Sequence, residues 1–184
     1  MSYPPGSPLG HDPGQYVPGT NVPIPYAMEQ GRRAQDAAFR AQQTAAAEAV
    51  AARHAQLAGR WFTPQHEWIT ASGQTVTVGI TDYVTGLLGS LVYVSLPLVG
   101  ATVATGAQCA ELESMKTIGK VHAPVDGRVI EVNGRLDAEP DLVSAEPFGD
   151  GWLFRMEVGP DAAAVLSSEL LSPDEYEELT RNNG

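Results

Sequence analysis

Val76, Val78 and Ile80 alternate with Thr75, Thr77 and Gly79, the two-residue period of a strand buried on one face. Leu91-Val92-Tyr93-Val94, a β-prone run bounded by glycine and proline, predicts another strand. Between them, Asp82 to Leu88 suits a short helix with Thr81 as N-cap and Gly89 beyond its end. Thr105 to Leu112 alternates weakly and Thr117 to Pro124 alternates better, so the two read as arms of a hairpin whose tip is Glu113-Ser114-Met115-Lys116-Thr117. A second tight turn is expected at Asp126-Gly127, a dipeptide that favours positive φ, ahead of the alternating Arg128 to Val132. Near the C-terminus, Ser172-Pro173-Asp174-Glu175 combines a capping box with proline at the first helical position. Tyr176 and Leu179 then face the sheet, and Glu177 and Glu178 face water.

The first 59 residues are of a different kind. Residues 1–25 repeat Pro-Gly dipeptides and hold too little apolar surface to offset the entropy of ordering, so disorder is expected there. From Met28 to Ala58 the chain is rich in alanine, glutamine and arginine, which predicts a helix ending at Gly59. Phe39, Ala46, Val50 and Leu57 form one thin apolar stripe along it. The expected organisation is a tail over 1–25, a helical extension over 26–59 and a mostly β domain over 60–184.

Charge separates the same regions. Residues 1–59 carry four arginines and four acids, whereas residues 60–184 carry seven basic and eighteen acidic groups, so the net charge of −11 lies on the domain. That surface argues against nucleic acid and anionic membrane as partners. The single Cys109 excludes an intrachain disulfide and fits a reducing compartment. No Ser-His-Asp signature, phosphate-binding glycine loop or His/Cys cluster with metal spacing is present, so no catalytic and no metal site is expected. His66-Glu67 opens like a zinc helix, but Thr70 stands where its second histidine belongs.

Lysine is the informative residue. Only Lys116 and Lys120 occur, and Lys116 falls at the expected hairpin tip, where an acylated side chain would be held still and have reach. Its surroundings resemble the glycine cleavage system H proteins. The likeness is carried by Trp61-Phe62-Thr63-Pro64-Gln65-His66-Glu67-Trp68, Val78-Gly79-Ile80-Thr81-Asp82-Tyr83 and Gly89-Ser90-Leu91-Val92-Tyr93-Val94-Ser95-Leu96-Pro97. It continues through Glu113-Ser114-Met115-Lys116, Ala123-Pro124-Val125-Asp126-Gly127, Glu139-Pro140-Asp141-Leu142-Val143 and Pro147-Phe148-Gly149-Asp150-Gly151-Trp152-Leu153, covering residues 61–181 in order.

The resemblance implies a hybrid barrel-sandwich, the fold of lipoyl and biotinyl carriers, with short appended helices. It implies lipoic acid in amide linkage on Lys116, with Glu113, Ser114, Met115 and Thr117 read by a lipoate ligase or lipoyl transferase. His66, Glu67 and Lys120 are expected to line the cleft that receives the arm. In the family cycle glycine decarboxylase loads an aminomethyl group, aminomethyltransferase removes the one-carbon unit and dihydrolipoyl dehydrogenase reoxidises the dithiol, while the carrier itself catalyses nothing.

Two departures keep other readings open. Met115 is shared with the Ala-Met-Lys-Met context of biotin carriers, so biotin is the minor alternative cofactor, although Thr117 breaks that pattern. Lys120 stands where the family commonly has an acid, four residues after the modified lysine. An ammonium there repels a cationic aminomethyl group by about 1 kcal/mol per partly solvated contact. An H-like carrier recruited to another pathway is therefore the alternative function, with residues 1–58 docking on a partner or scaffold through Val17, Ile24, Pro25, Tyr26 or the Phe39 stripe. A purely structural protein with unmodified Lys116 is a third class. Bacterial cytoplasm is the expected location, with the mitochondrial matrix as alternative because Arg32, Arg33, Arg40 and Arg53 lie in an acid-poor helical stretch.

Overall fold

The alternation of Val76, Val78 and Ile80 becomes the centre of a β-hairpin. β2 (Glu67–Ser72) and β3 (Thr75–Ile80) pair antiparallel, with Trp68 opposite Gly79 and Ile69 opposite Val78. Gly79 is required there: a Cβ would fall 2.4 Å from the Trp68 ring, which lies across it. A computed structural model describes residues 24–182. Of the expected tail over residues 1–25, residues 1–23, Val17 included, lie outside the described residues, and Ile24 and Pro25 are helical instead.

The chain divides into two units, one ending at Arg53 and one beginning at His54. The first is described by α1 (Ile24–Leu57), a helix of 34 residues that starts earlier than the composition predicts, at Ile24 and Pro25. Proline is tolerated there because the first turn has no intrahelical acceptors for its N–H groups. Gly59 stops the helix with a φ of 72°. Leu57 leaves the exposed stripe and is fully buried beside Phe62, Trp68 and Tyr176 in the second unit.

In that unit β1 (Trp61–Phe62), β2 and β3 continue through β9 (Phe154–Glu157), β8 (Gly127–Val132) and β5 (Thr102–Val103) into a six-stranded antiparallel sheet. β4 (Leu91–Ser95), β6 (Gln108–Ser114) and β7 (Ile118–His122) form a second sheet of three. Both sheets feed one core, with Ile69, Val76, Phe154 and Met156 from the larger and Val94, Leu112 and Val121 from the smaller. α2 (Asp82–Leu88) lays Leu88 against Gly119 of β7, at 3.0 Å from where a Cβ would stand. A 3-10 turn (Gly134–Asp137), α3 (Leu142–Ala145), α4 (Ala162–Glu169) and α5 (Pro173–Asn182) complete the unit.

Capping chemistry decides α5 as expected. The Ser172 N–H donates to Glu175 Oε2 at 2.8 Å while the Glu175 N–H reaches back to Ser172 Oγ at 3.4 Å. Thr81 holds the N-cap position of α2 with extended backbone, but its side chain does not cap. Its hydroxyl instead meets the Tyr176 hydroxyl at 2.7 Å.

Two sequence expectations need correction. The Asp126-Gly127 dipeptide makes no tight hairpin: β7 and β8 belong to different sheets, and Gly127 is not among the positive-φ glycines. Gly127 is needed for close approach, since a Cβ would stand 2.6 Å from both the Glu157 carbonyl and Met156 Cε. The upstream hairpin arm begins at Gln108, because Asp126 holds Thr105 outside the ladder through its N–H and hydroxyl, at 2.7 and 2.9 Å. In β4 a bulge between Leu91 and Tyr93 exposes Val92 and Tyr93 together.

Candidate functional site

The β6–β7 hairpin sets Glu113 opposite Ile118, Leu112 opposite Gly119 and Glu111 opposite Lys120. Ala110, Leu112 and Val121 point into the core, which anchors the hairpin along one face. Its ladder extends through Ser114, so the expected tip of five residues narrows to Met115, Lys116 and Thr117.

Ser114 builds the turn. Its N–H donates to the Thr117 carbonyl at 2.9 Å and its hydroxyl donates to the same oxygen at 3.0 Å. The same Oγ accepts the N–H groups of Lys116 and Thr117, at 3.2 and 3.1 Å. One hydroxyl thus uses its single donor and both lone pairs on two consecutive residues, Lys116 and Thr117, without calling on the lysine side chain. Lys116 is exposed, Met115 beside it is 84% exposed, and among the described residues no hydrogen bond or ion pair holds the Lys116 ammonium.

The other expected site residues lie elsewhere. Lys120 is exposed on β7, across from Glu111. Glu67 and His66 sit where β2 begins, and Glu67 meets the hairpin at His122, the opposite end of β7, six residues and up to about 20 Å along the strand from Lys116. Glu67 is only 1% exposed. Its Oε1 accepts the His122 N–H at 2.8 Å and its Oε2 takes the Thr63 hydroxyl, so the carboxylate faces inward and does not line an open cleft. The His122 Nδ1 lies 3.5 Å from the same Oε1.

His66 is held by packing. It is the one described non-glycine residue with positive φ, at 75°, and its N–H and carbonyl tie to the Thr63 carbonyl and the Thr81 N–H. Its Nδ1 lies 2.9 Å from the Tyr176 hydroxyl, and its ring is tilted against Tyr83 at 4.7 Å. Burial lowers the His66 pKa, against the opposing charge of Glu67. Burial first, then the Glu67 charge, pushes the Cys109 thiol up to about 12, which makes it a poor nucleophile. Among the described residues no three His, Cys, Asp or Glu side chains are grouped to hold a metal ion.

Thr63, His122 and Arg60 were not singled out as site residues from the sequence, and Tyr176 was expected only to face the sheet. Arg60 packs its guanidinium 5.1 Å from the Trp68 ring centre and donates to the Phe148 carbonyl at 2.6 Å. These partners lie far apart along the chain, so no spacing motif marks them.

A core-anchored hairpin that displays a lysine at its turn, in a two-sheet barrel-sandwich, defines a carrier domain of the lipoyl and biotinyl class. The chain belongs to the glycine cleavage H-protein family, whose model matches residues 60–183. It is similar to the glycine cleavage system H proteins of Thermobifida fusca, 40% identical over 123 residues covering 67% of this chain and 94% of the relative, and of Thermus thermophilus, 45% identical over 120 residues covering 65% and 91%. The crystal structure of a glycine cleavage system H protein from Mycobacterium marinum matches with a TM-score of 0.58 and 37% identity, over 66% of this chain and 96% of that one. The protein is a lipoyl carrier of this type, working with the other components of the glycine cleavage system, and recruitment to a different pathway is not favoured.

Proposed function

We propose that Lys116 is the residue to which lipoate is attached. The observation that carries this reading is the tip geometry: the turn is complete without the lysine side chain, which extends into solvent from a strand pair anchored in the core. The group fits, since an amide at the Lys116 Nζ displaces no protein contact among the described residues. Bound there, lipoate supplies a disulfide and dithiol pair that takes up the aminomethyl unit of decarboxylated glycine and returns two electrons.

The protein's own residues present and restrain that arm. Ser114 fixes the turn, and Glu113, Met115 and Thr117 flank the lysine as the surface read by a lipoate ligase or lipoyl transferase. Glu67 already serves two protein donors, and Lys120 adds positive charge on the outer face of β7. Both disfavour tight storage of a cationic arm and favour prompt hand-over. The partners are glycine decarboxylase, aminomethyltransferase and dihydrolipoyl dehydrogenase, in the bacterial cytoplasm, and the carrier has no catalytic step of its own.

Intact-mass spectrometry of protein from its native host, with peptide mapping over residues 111–128, tests the assignment. A lipoyl adduct on Lys116 that Lys116→Arg abolishes is the expected result. An adduct on Lys120, a biotinyl adduct, or a bare lysine in cells that lipoylate other carriers would overturn it.

A further inference from the structure

The exposed seam of α1 reads alike from either end. Asp36, Phe39, Gln43, Ala46, Val50 and Arg53 follow one another at spacings of three, four, three, four and three, the seam spacing of a two-helix coiled coil. Phe39 is 61% and Val50 67% exposed, and Asp36, Gln43 and Ala46 are exposed with them. Arg53 is half-buried, and Leu57, one step further, is committed to the carrier core. An apolar residue lies on each side of the centre, an acid closes one end and a base the other.

We propose that this seam binds a second copy of the chain, with the two helices antiparallel. Rotation about the midpoint between Thr44 and Ala45 sets Phe39 against Val50 of the partner subunit and Gln43 against Ala46 of the partner subunit. The same rotation sets Asp36 against Arg53 of the partner subunit, and each pairing occurs twice. A two-fold interface must be complementary to itself, and this series is. A foreign partner imposes no such symmetry on one helix. Parallel pairing fails on charge, because it places Asp36 on Asp36 of the partner subunit and Arg53 on Arg53 of the partner subunit.

The small residues help. Ala46, Ala47 and Ala49 allow close approach of the backbones, and Gln43 supplies the polar step at an otherwise apolar seam that fixes register. Arg53 needs no vacancy, since a guanidinium has five N–H donors and the partner's Asp36 adds one acceptor to its surroundings.

Sedimentation equilibrium of the full chain tests the pairing. A dimer at about 0.1 mM is expected, weakened at least about tenfold by Phe39→Glu. Because Phe39 lies outside the carrier core, the unfolding transition of that unit should not move in this variant. Asp36→Arg and Arg53→Asp should each weaken the dimer, and combining the two in one chain should restore it, because only antiparallel chains then match both charge pairs. A monomeric chain, a dimer indifferent to Phe39→Glu, or a double variant that fails to recover overturns the proposal.

Discussion

The backbone N–H of His122 donates to Glu67 Oε1 at 2.8 Å and fastens the far end of β7 to the larger sheet. The other carboxylate oxygen takes the Thr63 hydroxyl, whose Oγ1 in turn accepts the Glu67 N–H at 3.1 Å. A buried acid therefore joins the entry to β2, the start of the first hairpin and the root of the carrier hairpin. The lysine-bearing tip is free because its root is pinned.

Glu67→Ala should cost about 2–4 kcal/mol, since it strands a buried N–H and a hydroxyl without acceptors. Glu67→Gln keeps one acceptor and should cost roughly half as much. Chemical denaturation measures both. A loss under about 0.5 kcal/mol for the alanine variant would mean that the contact does not hold the hairpin.

Truncation should depend sharply on where the cut falls. Removing residues 1–53 leaves the buried Leu57 in place, and the carrier unit should melt nearly as the full chain does. Removing residues 1–58 empties the Leu57 site against Phe62, Trp68 and Tyr176 and should cost about 2–5 kcal/mol. Calorimetry on the two truncated chains separates these outcomes.

Acid should destabilise the fold through His66. Burial lowers its folded pKa below the ordinary 6.5, so the unfolded chain takes up a proton that the folded one resists. Its contribution is full above about 6.5 and drains as pH falls from there through the lowered folded value. His66→Asn tolerates the positive φ and does not titrate. Its melting temperature should fall less than that of the natural chain between about pH 7 and pH 5.5; parallel profiles would remove His66 from the account.

Gly127→Ala should destabilise by about 1–3 kcal/mol, because the new methyl group meets a backbone oxygen that cannot yield. The same change at Gly31, where nothing stands within 4 Å, should stabilise α1 by about 1 kcal/mol. Thermal melts of both variants, followed by circular dichroism, give the comparison.

Much of the architecture is local and was legible for that reason. The alternation of β3, the Ser172–Glu175 capping box, the alanine-rich helix and the isolated Lys116 each depend on neighbours within a few residues, where propensity and spacing act directly. Family resemblance supplied the rest of the carrier reading. Local rules misread Asp126-Gly127, because a dipeptide that suits a tight turn was placed where two strands part into different sheets. They also placed Leu57 on a surface stripe, because helical period cannot reveal which turn of a helix another element will cover.

The sequence by itself determined the family, the place of Lys116 at a strand turn, and the presence of a long polar helix ahead of β-rich chain. Those follow from order along the chain. Only the tertiary structure decided that Glu67 faces inward beneath Thr63 and His122, that Thr81 turns from capping to meet Tyr176, and that Gly127 serves close approach rather than a turn. Each of these depends on a contact between residues far apart in the chain, where burial leaves a polar group or a backbone no alternative partner.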